Sequence, residues 1–137
     1  MDLTEDDKKL INTATELLAK VKGKITNSKY SGAVAAALLA GNGKVYTGIC
    51  VDFYCGEGVC AERNTIPQMA KDCETQIIKI VAVSENGVVP PCGVCREVMF
   101  QFDKRNLETE VIVSEKEKVL LKELLPMRWQ DSFGDLG

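Results

Sequence analysis

The feature that most constrains the fold is IIKIVAVS at residues 77–84, a nearly continuous run of apolar, mostly β-branched residues. β-branched residues favour strands. A strand that is apolar at almost every position, rather than at alternate positions, is covered on both of its faces. We therefore expect this run to be a central strand, and the chain to form a layered α/β domain with helices packed on a mixed sheet.

The flanking segments fit this architecture. Runs at 34–40 and 44–51 flank GNGK, whose Asn-Gly pair is a strong hairpin signal, so these runs are predicted to pair as strands. TEVIVS at 109–114 is predicted as another strand. A first helix is predicted to begin after Thr4, an N-cap residue, and to stop near Gly23.

Two connecting segments are predicted to lack regular structure. The residues ENG and VVPP at 85–91 are expected to form a connection between the central strand and a second short helix. SEKEK at 114–118 is expected to be a solvated turn. The prediction is a single domain over residues 1–137, which is the usual size for one domain.

Composition narrows the class of partner. The net charge is −3 and basic residues are not clustered, which disfavours binding to a polynucleotide and favours a small molecule. The polar, acidic start MDLTEDDKKL does not resemble a targeting sequence. The longest apolar run, at 33–40, is too short to span a membrane. A cytoplasmic location is therefore expected, where six cysteines are thiols or metal ligands rather than disulfides.

The segment PCGVC at 91–95 places two cysteines at the start of a predicted helix. Cys92 and Cys95 are three residues apart, so they share one helix face, and Pro91 is suited to the first turn. The helix dipole and free backbone N–H groups stabilise thiolates there. The pair alone is compatible with a thioredoxin-like redox motif or with a metal site.

The segment CAE at 60–62 favours the metal site. A helix is predicted from about 60 to 72, with a bend possible at Pro67. Residues two apart on a helix point about 200° away from each other, so Cys60 and Glu62 can address one ion only from the helix end. Three thiolates favour zinc, and three protein ligands leave a position for water. A fourth thiolate, from Cys55, would instead make a closed structural site.

Together these segments carry a resemblance. VAAALL and GKVYTG, CAER, PCGVCRE and the late ELLP resemble the small, zinc-dependent cytidine deaminase family, which includes the blasticidin S deaminases. The resemblance implies a three-layer α/β/α sandwich around a mixed, roughly five-stranded sheet. It also implies a homotetramer with shared active sites and one Zn²⁺ ion in each subunit.

The resemblance also implies roles for single residues. Cys60, Cys92 and Cys95 would bind zinc, and Glu62 would carry protons while water replaces the amino group at C4 of a cytosine ring and ammonia leaves. Arg63 would withdraw charge from the thiolates, the alternative being a solvated surface arginine. The expected substrate is cytidine or deoxycytidine.

The chain departs from the family pattern on the sugar side. Gly32 stands where the family has an aromatic residue, and Cys50 and Asp52 stand at its Asn-x-Glu pair, so these two are the predicted substrate-binding residues. Asp52 can accept a hydroxyl bond, but Cys50 substitutes poorly for an amide. The alternative substrate is therefore blasticidin S or another modified cytosine nucleoside. Trp129 and Phe133 would close a neighbouring subunit's site or cover the sheet edge.

Overall fold

The computed structural model describes residues 1–25 and 29–134. Within those ranges the helices are α1 (Glu5–Val21), α2 (Ala61–Lys71) and α3 (Gly93–Phe102). The strands are β1 (Val34–Ala40), β2 (Val45–Ile49), β3 (Val51–Asp52), β4 (Gly58–Val59), β5 (Ile77–Ser84), β6 (Gly87–Val89), β7 (Glu110–Ile112) and β8 (Lys118–Leu120). Short 3₁₀ helices span Lys104–Glu108, Leu121–Leu124 and Trp129–Phe133.

The predicted central strand is β5. The main sheet has the order β2-β1-β5-β7-β8, and β6 adds a further strand to β5. The pairing of β5 with β7 is parallel, whereas β1 and β6 pair with β5 antiparallel, so the sheet is mixed. The described part of the chain therefore forms a six-stranded sheet, one strand more than expected.

Helices cover both faces of this sheet. On β1, Ala35 and Ala37 pack with Leu10 of α1 on one face. Leu38 packs on the other face with Ile66 of α2 and with α3. Alternate residues of a strand point to opposite faces of its sheet. On β1, the residues on both faces are buried, so each face is covered by helices. The three-layer α/β/α arrangement is confirmed.

The start of α1 follows its sequence signal. Thr4 Oγ1 accepts a hydrogen bond from Asp7 N at 3.3 Å, and Asp7 Oδ2 accepts one from Thr4 N at 2.8 Å, which makes a capping box. The helix ends at Val21, and Gly23 adopts a positive φ of 71° just beyond it. A glycine in this conformation is a common helix stop.

Two predicted connections are wrong in part. Residues 114–117 do turn, but Lys118 is only 5% exposed and begins β8. Its ammonium forms ion pairs with Asp7 Oδ2 at 2.8 Å and with Glu110. Asp7 also pairs with Lys79 at 2.6 Å. Burial alone would raise the pKa of Asp7, but these two lysines hold it well below its ordinary value.

The connection predicted at 85–91 contains β6. Val88 pairs with Val83 and Val89 with Ala82, so the chain turns back along β5 before the two prolines. A three-residue strand followed by Pro-Pro gives no periodic pattern, which is why the sequence does not indicate it. β6 leads the chain back from the Ser84 end of β5, and Pro91, which precedes Cys92, then lines a small cavity together with Ala82 of β5 and Glu62 of α2.

The predicted strand 44–51 is also interrupted. β2 ends at Ile49, and Val51–Asp52 leaves the main sheet to pair with Gly58–Val59. This small hairpin is followed directly by Cys60, whose side chain lies next to that of Cys92. In the described ranges, none of the helices is both long and apolar enough to cross a membrane.

Candidate metal centre and active site

Two helices begin side by side at the end of the sheet where β1 starts. Cys60 is the N-cap residue of α2 and Cys92 is the N-cap residue of α3, and neither side chain makes a capping hydrogen bond. The Sγ atoms of Cys60 and Cys92 are 3.5 Å apart, as are those of Cys92 and Cys95. The three sulfurs all lie within 4.8 Å of one another. Three thiols thus converge from two helix starts.

The donor set fits zinc. A tetrahedral ion with Zn–S bonds of about 2.3 Å separates its sulfur ligands by about 3.8 Å, close to the observed spacings. Cys55 is exposed and lies outside the group of candidate ligands found among the described residues. The arrangement therefore favours a three-thiolate site over a closed site with four thiolates.

Glu62 lies beside this cluster. It is the second residue of α2 and is only 5% exposed. Burial raises the pKa of its carboxyl group, and its own backbone N–H, the charge of Arg63 and the nearby Cys95 thiol partly offset that effect. Cys60 and Glu62 thus both lie near thiols of α3, at the N-terminal end of α2.

One arginine side chain contacts the thiol cluster, and another holds the turn that precedes it. Arg63 Nη2 donates to Cys60 Sγ at 3.7 Å, and this hydrogen bond raises the pKa of the guanidinium. Arg63 is half-buried, so it is not a solvated surface arginine. Arg96 Nε donates to the Pro91 carbonyl at 2.8 Å and closes the turn that precedes Cys92.

The predicted sugar-side residues are tied to the segment that precedes β1. Cys50 Sγ donates to the Tyr30 carbonyl at 3.2 Å, so its one donor is already used. Ser31 Oγ accepts from Asp52 N at 2.8 Å, which fixes the Asp52 backbone but not its carboxylate. Asp52 lines a cleft of about 230 Å³ whose other lining residues are Lys29, Tyr30, Phe53 and Tyr54.

Cys50 also packs on a small buried cluster of alanines. It packs against Ala36 of β1, Ala61 of α2 and Ala82 of β5, which are all buried. The structure therefore places Cys50 next to the first residue of the helix that carries Glu62.

Gly32 differs from the aromatic residue that the family carries. Its φ is 78°, a region that side-chain-bearing residues rarely adopt. A Cβ atom built on it would lie 3.5 Å from both Ile25 Cδ1 and Val21 Cγ2. The backbone at this position therefore favours glycine.

The late aromatic residues pack on α3. Trp129 and Phe133 form a T-shaped pair with ring centroids 5.2 Å apart. Trp129 Nε1 donates to Glu97 Oε1 at 2.9 Å, and Glu97 lies two residues after Cys95. The pair is more than half exposed, so its outer face is open.

Sequence reasoning missed Asn64. It lies one turn into α2, where its side-chain Nδ2 donates to the Ile49 carbonyl at 2.8 Å. An asparagine inside a helix has no motif that would mark this contact, because the acceptor comes from a strand 15 residues earlier.

A sequence profile of the family described as the cytidine and deoxycytidylate deaminase zinc-binding region matches residues 4–110. The chain belongs to this family. The matched segment of this deaminase-family chain includes the three clustered cysteines and Glu62.

Solved structures agree with this membership. A mutant cytidine deaminase from Mycobacterium tuberculosis is 25% identical, with 90% of this chain and 94% of that chain covered and a TM-score of 0.75. The cytidine deaminase from Burkholderia pseudomallei is 26% identical, with 91% and 98% covered and a TM-score of 0.67. The Mycobacterium tuberculosis enzyme itself, at 24% identity with 92% and 98% covered, shares the fold with a TM-score of 0.76.

The family match, the fold and the thiol cluster together support one general conclusion. This member of the cytidine and deoxycytidylate deaminase family has the fold of the solved cytidine deaminases and a thiol cluster suited to zinc. These findings support a zinc-dependent, hydrolytic deaminase.

Proposed function

We propose that this protein hydrolyses the amino group at C4 of a cytosine-bearing nucleoside, converting cytidine or deoxycytidine to the uridine product with release of ammonia. The observation that carries the proposal is the buried Glu62 carboxyl group beside three converging thiols. A structural metal site has no use for a buried acid that is not a ligand, whereas hydrolysis needs one to move protons.

In this proposal Cys60, Cys92 and Cys95 hold one Zn²⁺ ion in each subunit. Bound zinc would supply a Lewis acid that lowers the pKa of water to near neutrality. Glu62 would take one proton from the attacking water and deliver it to N3 of the ring. It would then take the second proton from the hydroxyl group on C4 and deliver it to the amine, which leaves as ammonia while the C4 carbonyl forms. Its position at the end of α2, in contact with Cys95, supports this role.

Arg63 is proposed to tune the cluster. Three thiolates on a divalent cation leave a net charge of −1, which opposes ionisation of water. The hydrogen bond from Arg63 Nη2 to Cys60 Sγ would draw electron density away from that sulfur. The guanidinium therefore offsets the cost of an all-thiolate ligand set.

The sugar side supports a second candidate substrate. Asp52 is proposed to accept a hydroxyl hydrogen bond, while Cys50 would contact the substrate mainly through its bulk, because its S–H group is directed to Tyr30 O. A ribose would then have one strong polar partner at these two positions instead of two. This favours testing blasticidin S and other modified cytosine nucleosides as the alternative.

We also propose a homotetramer with shared active sites. Large apolar side chains that stay exposed suggest a surface covered by another subunit. Several such residues line the cleft that contains Asp52, lie between Cys92 and Cys95, or belong to the segment packed against α3: Tyr30, Phe53, Tyr54, Val94, Trp129 and Phe133. Light scattering coupled to size-exclusion chromatography tests this, and a monomer at micromolar concentration would contradict it.

The test of function measures ammonia release. Zinc-loaded protein is incubated separately with cytidine, deoxycytidine, cytosine and blasticidin S, and its zinc content is measured on the same sample. Release from cytidine or deoxycytidine supports the leading proposal, and release from blasticidin S alone supports the alternative. Stoichiometric zinc without turnover of any cytosine compound would favour a non-catalytic zinc domain.

A further inference from the structure

The outer strand of the sheet is attached to α2 by two amide side chains. β2 pairs with β1 on one side only. Asn64 Nδ2 donates to the Ile49 carbonyl at 2.8 Å, and Gln68 Nε2 donates to the Thr47 carbonyl at 2.7 Å. Two carbonyls of an edge strand thus receive donors from one face of the helix, which fixes α2 against β2.

The helix also lies unusually close to this strand. A Cβ atom built on Gly48 would lie 2.5 Å from Thr65 Oγ1 and 3.2 Å from the Ala61 carbonyl. Thr65 Oγ1 is itself held by a 2.7 Å hydrogen bond to that carbonyl. Because Gly48 has no side chain, the strand approaches the backbone and the Thr65 hydroxyl of the first turns of α2 directly.

Asn64 is the amide nearest the candidate active site. Its backbone N donates to the Cys60 carbonyl at 3.1 Å, so it belongs to the turn that carries Cys60 and Glu62. Its acceptor, Ile49, directly precedes Cys50. One side chain therefore joins the catalytic end of α2 to the strand that leads to the sugar side, whereas Gln68 makes the equivalent bond one turn farther away.

We propose that Asn64 is a positioning residue that holds Glu62 in register with Cys50 and Asp52. The proposal rests on the proposed function. A metal bound by Cys60 would restrain only the residue before α2, and the buried Ile66 and Met69 hold the helix in the core farther along. Between these anchors, the Asn64 bond to Ile49 O is the side-chain tie to β2 that lies nearest to Glu62, so it sets the position of the first turn that carries the carboxyl group. Small misplacements of a catalytic group are costly, with about 1 Å sufficient for about a 10²-fold loss.

The experiment compares Asn64→Leu with Gln68→Leu. Each substitution removes one amide bond to a β2 carbonyl and introduces a good helix former. Steady-state kcat and KM, zinc affinity by competition with a chromophoric chelator, and thermal unfolding are measured for both. In Asn64→Leu we expect kcat to fall at least about tenfold, with KM little changed and zinc affinity reduced. In Gln68→Leu we expect a lower unfolding temperature with kcat and zinc affinity unchanged.

Other outcomes separate the two proposals. Equal effects of both variants on kcat and zinc affinity, or no effect of either, would overturn the positioning role. If the wild-type protein turns over none of the cytosine compounds, the proposed function fails. The zinc competition still decides whether Asn64 positions the helix start, because weakening confined to Asn64→Leu supports it. If Asn64→Leu does not fold, Asn64→Ser removes the same donor with less bulk, and wild-type kcat and zinc affinity in that variant would contradict the proposal.

Discussion

Replacing Asn106 by leucine should destabilise the fold more than any surface change. Asn106 is completely buried, and its Oδ1 accepts from Ile77 N at 2.7 Å. Its Nδ2 donates to the Met99 carbonyl at 2.8 Å and to the Thr75 carbonyl at 3.0 Å. One side chain therefore ties the start of β5 to the last turns of α3.

The magnitude follows from the groups left behind. Asn106→Leu leaves Ile77 N–H and Met99 C=O buried without this partner. A buried polar group without a hydrogen bond costs about 1–3 kcal/mol, so the expected loss is about 2–6 kcal/mol. The whole free energy of unfolding of a domain is about 5–15 kcal/mol, so this one residue carries a large share of it.

Urea unfolding measures the effect, with Asn12→Leu as the control because Asn12 is exposed on α1. We expect the midpoint to fall sharply for Asn106→Leu and to stay near the wild-type value for the control. Asn106→Asp, which keeps the acceptor for Ile77 N but loses both donors, should also be destabilised. A loss below about 1 kcal/mol for Asn106→Leu would refute the reasoning that unpaired buried groups dominate.

Three further predictions concern packing, pH and metal. Gly48→Ala should force α2 away from β2, because the new Cβ would lie 2.5 Å from Thr65 Oγ1; reduced zinc affinity in chelator competition checks this. The pKa of Asp7 is depressed on folding, so its contribution to stability is full above the ordinary carboxyl pKa of about 3.9 and is lost as the pH falls below it. In Asp7→Asn, the free energy of unfolding measured with urea should depend less on pH between pH 5 and pH 2 than it does in the wild type. The same pH dependence in both proteins would contradict the ion-pair argument. Cys60→Ser should lose stoichiometric zinc by elemental analysis, whereas Cys55→Ser should keep it.

Sequence patterns predicted the helix and the strand that are determined by residues close together in the chain. The Thr4 capping box and Gly23 bound α1, and the apolar run at 77–84 is the central strand with the predicted limits. The spacing of Cys60 and Glu62 predicts that both address an ion from the end of the helix, because helix geometry fixes the angle between them, and this stays a prediction.

The missed features depend on partners far away in the sequence. Lys118 lies within a charged run whose composition predicts a solvated turn. It is buried because it forms ion pairs with Asp7 and Glu110, which are far from it in the sequence or on another strand. Asn64 and Asn106 bond to backbone groups 15 or more residues away, except for the bond of Asn106 to Met99. Hydrogen bonds of this kind leave no periodicity, since they depend on the packed fold rather than on neighbouring residues.

The most direct test of the central claim compares ammonia release from cytidine and deoxycytidine by zinc-loaded wild type and Glu62→Gln. The substitution keeps the size of the side chain but removes its ability to take a proton. We predict stoichiometric zinc in both proteins, with kcat reduced about 10²-fold or more in the variant. Wild-type turnover by Glu62→Gln would contradict the assignment of Glu62 as the proton carrier, and with it the mechanism proposed for this site.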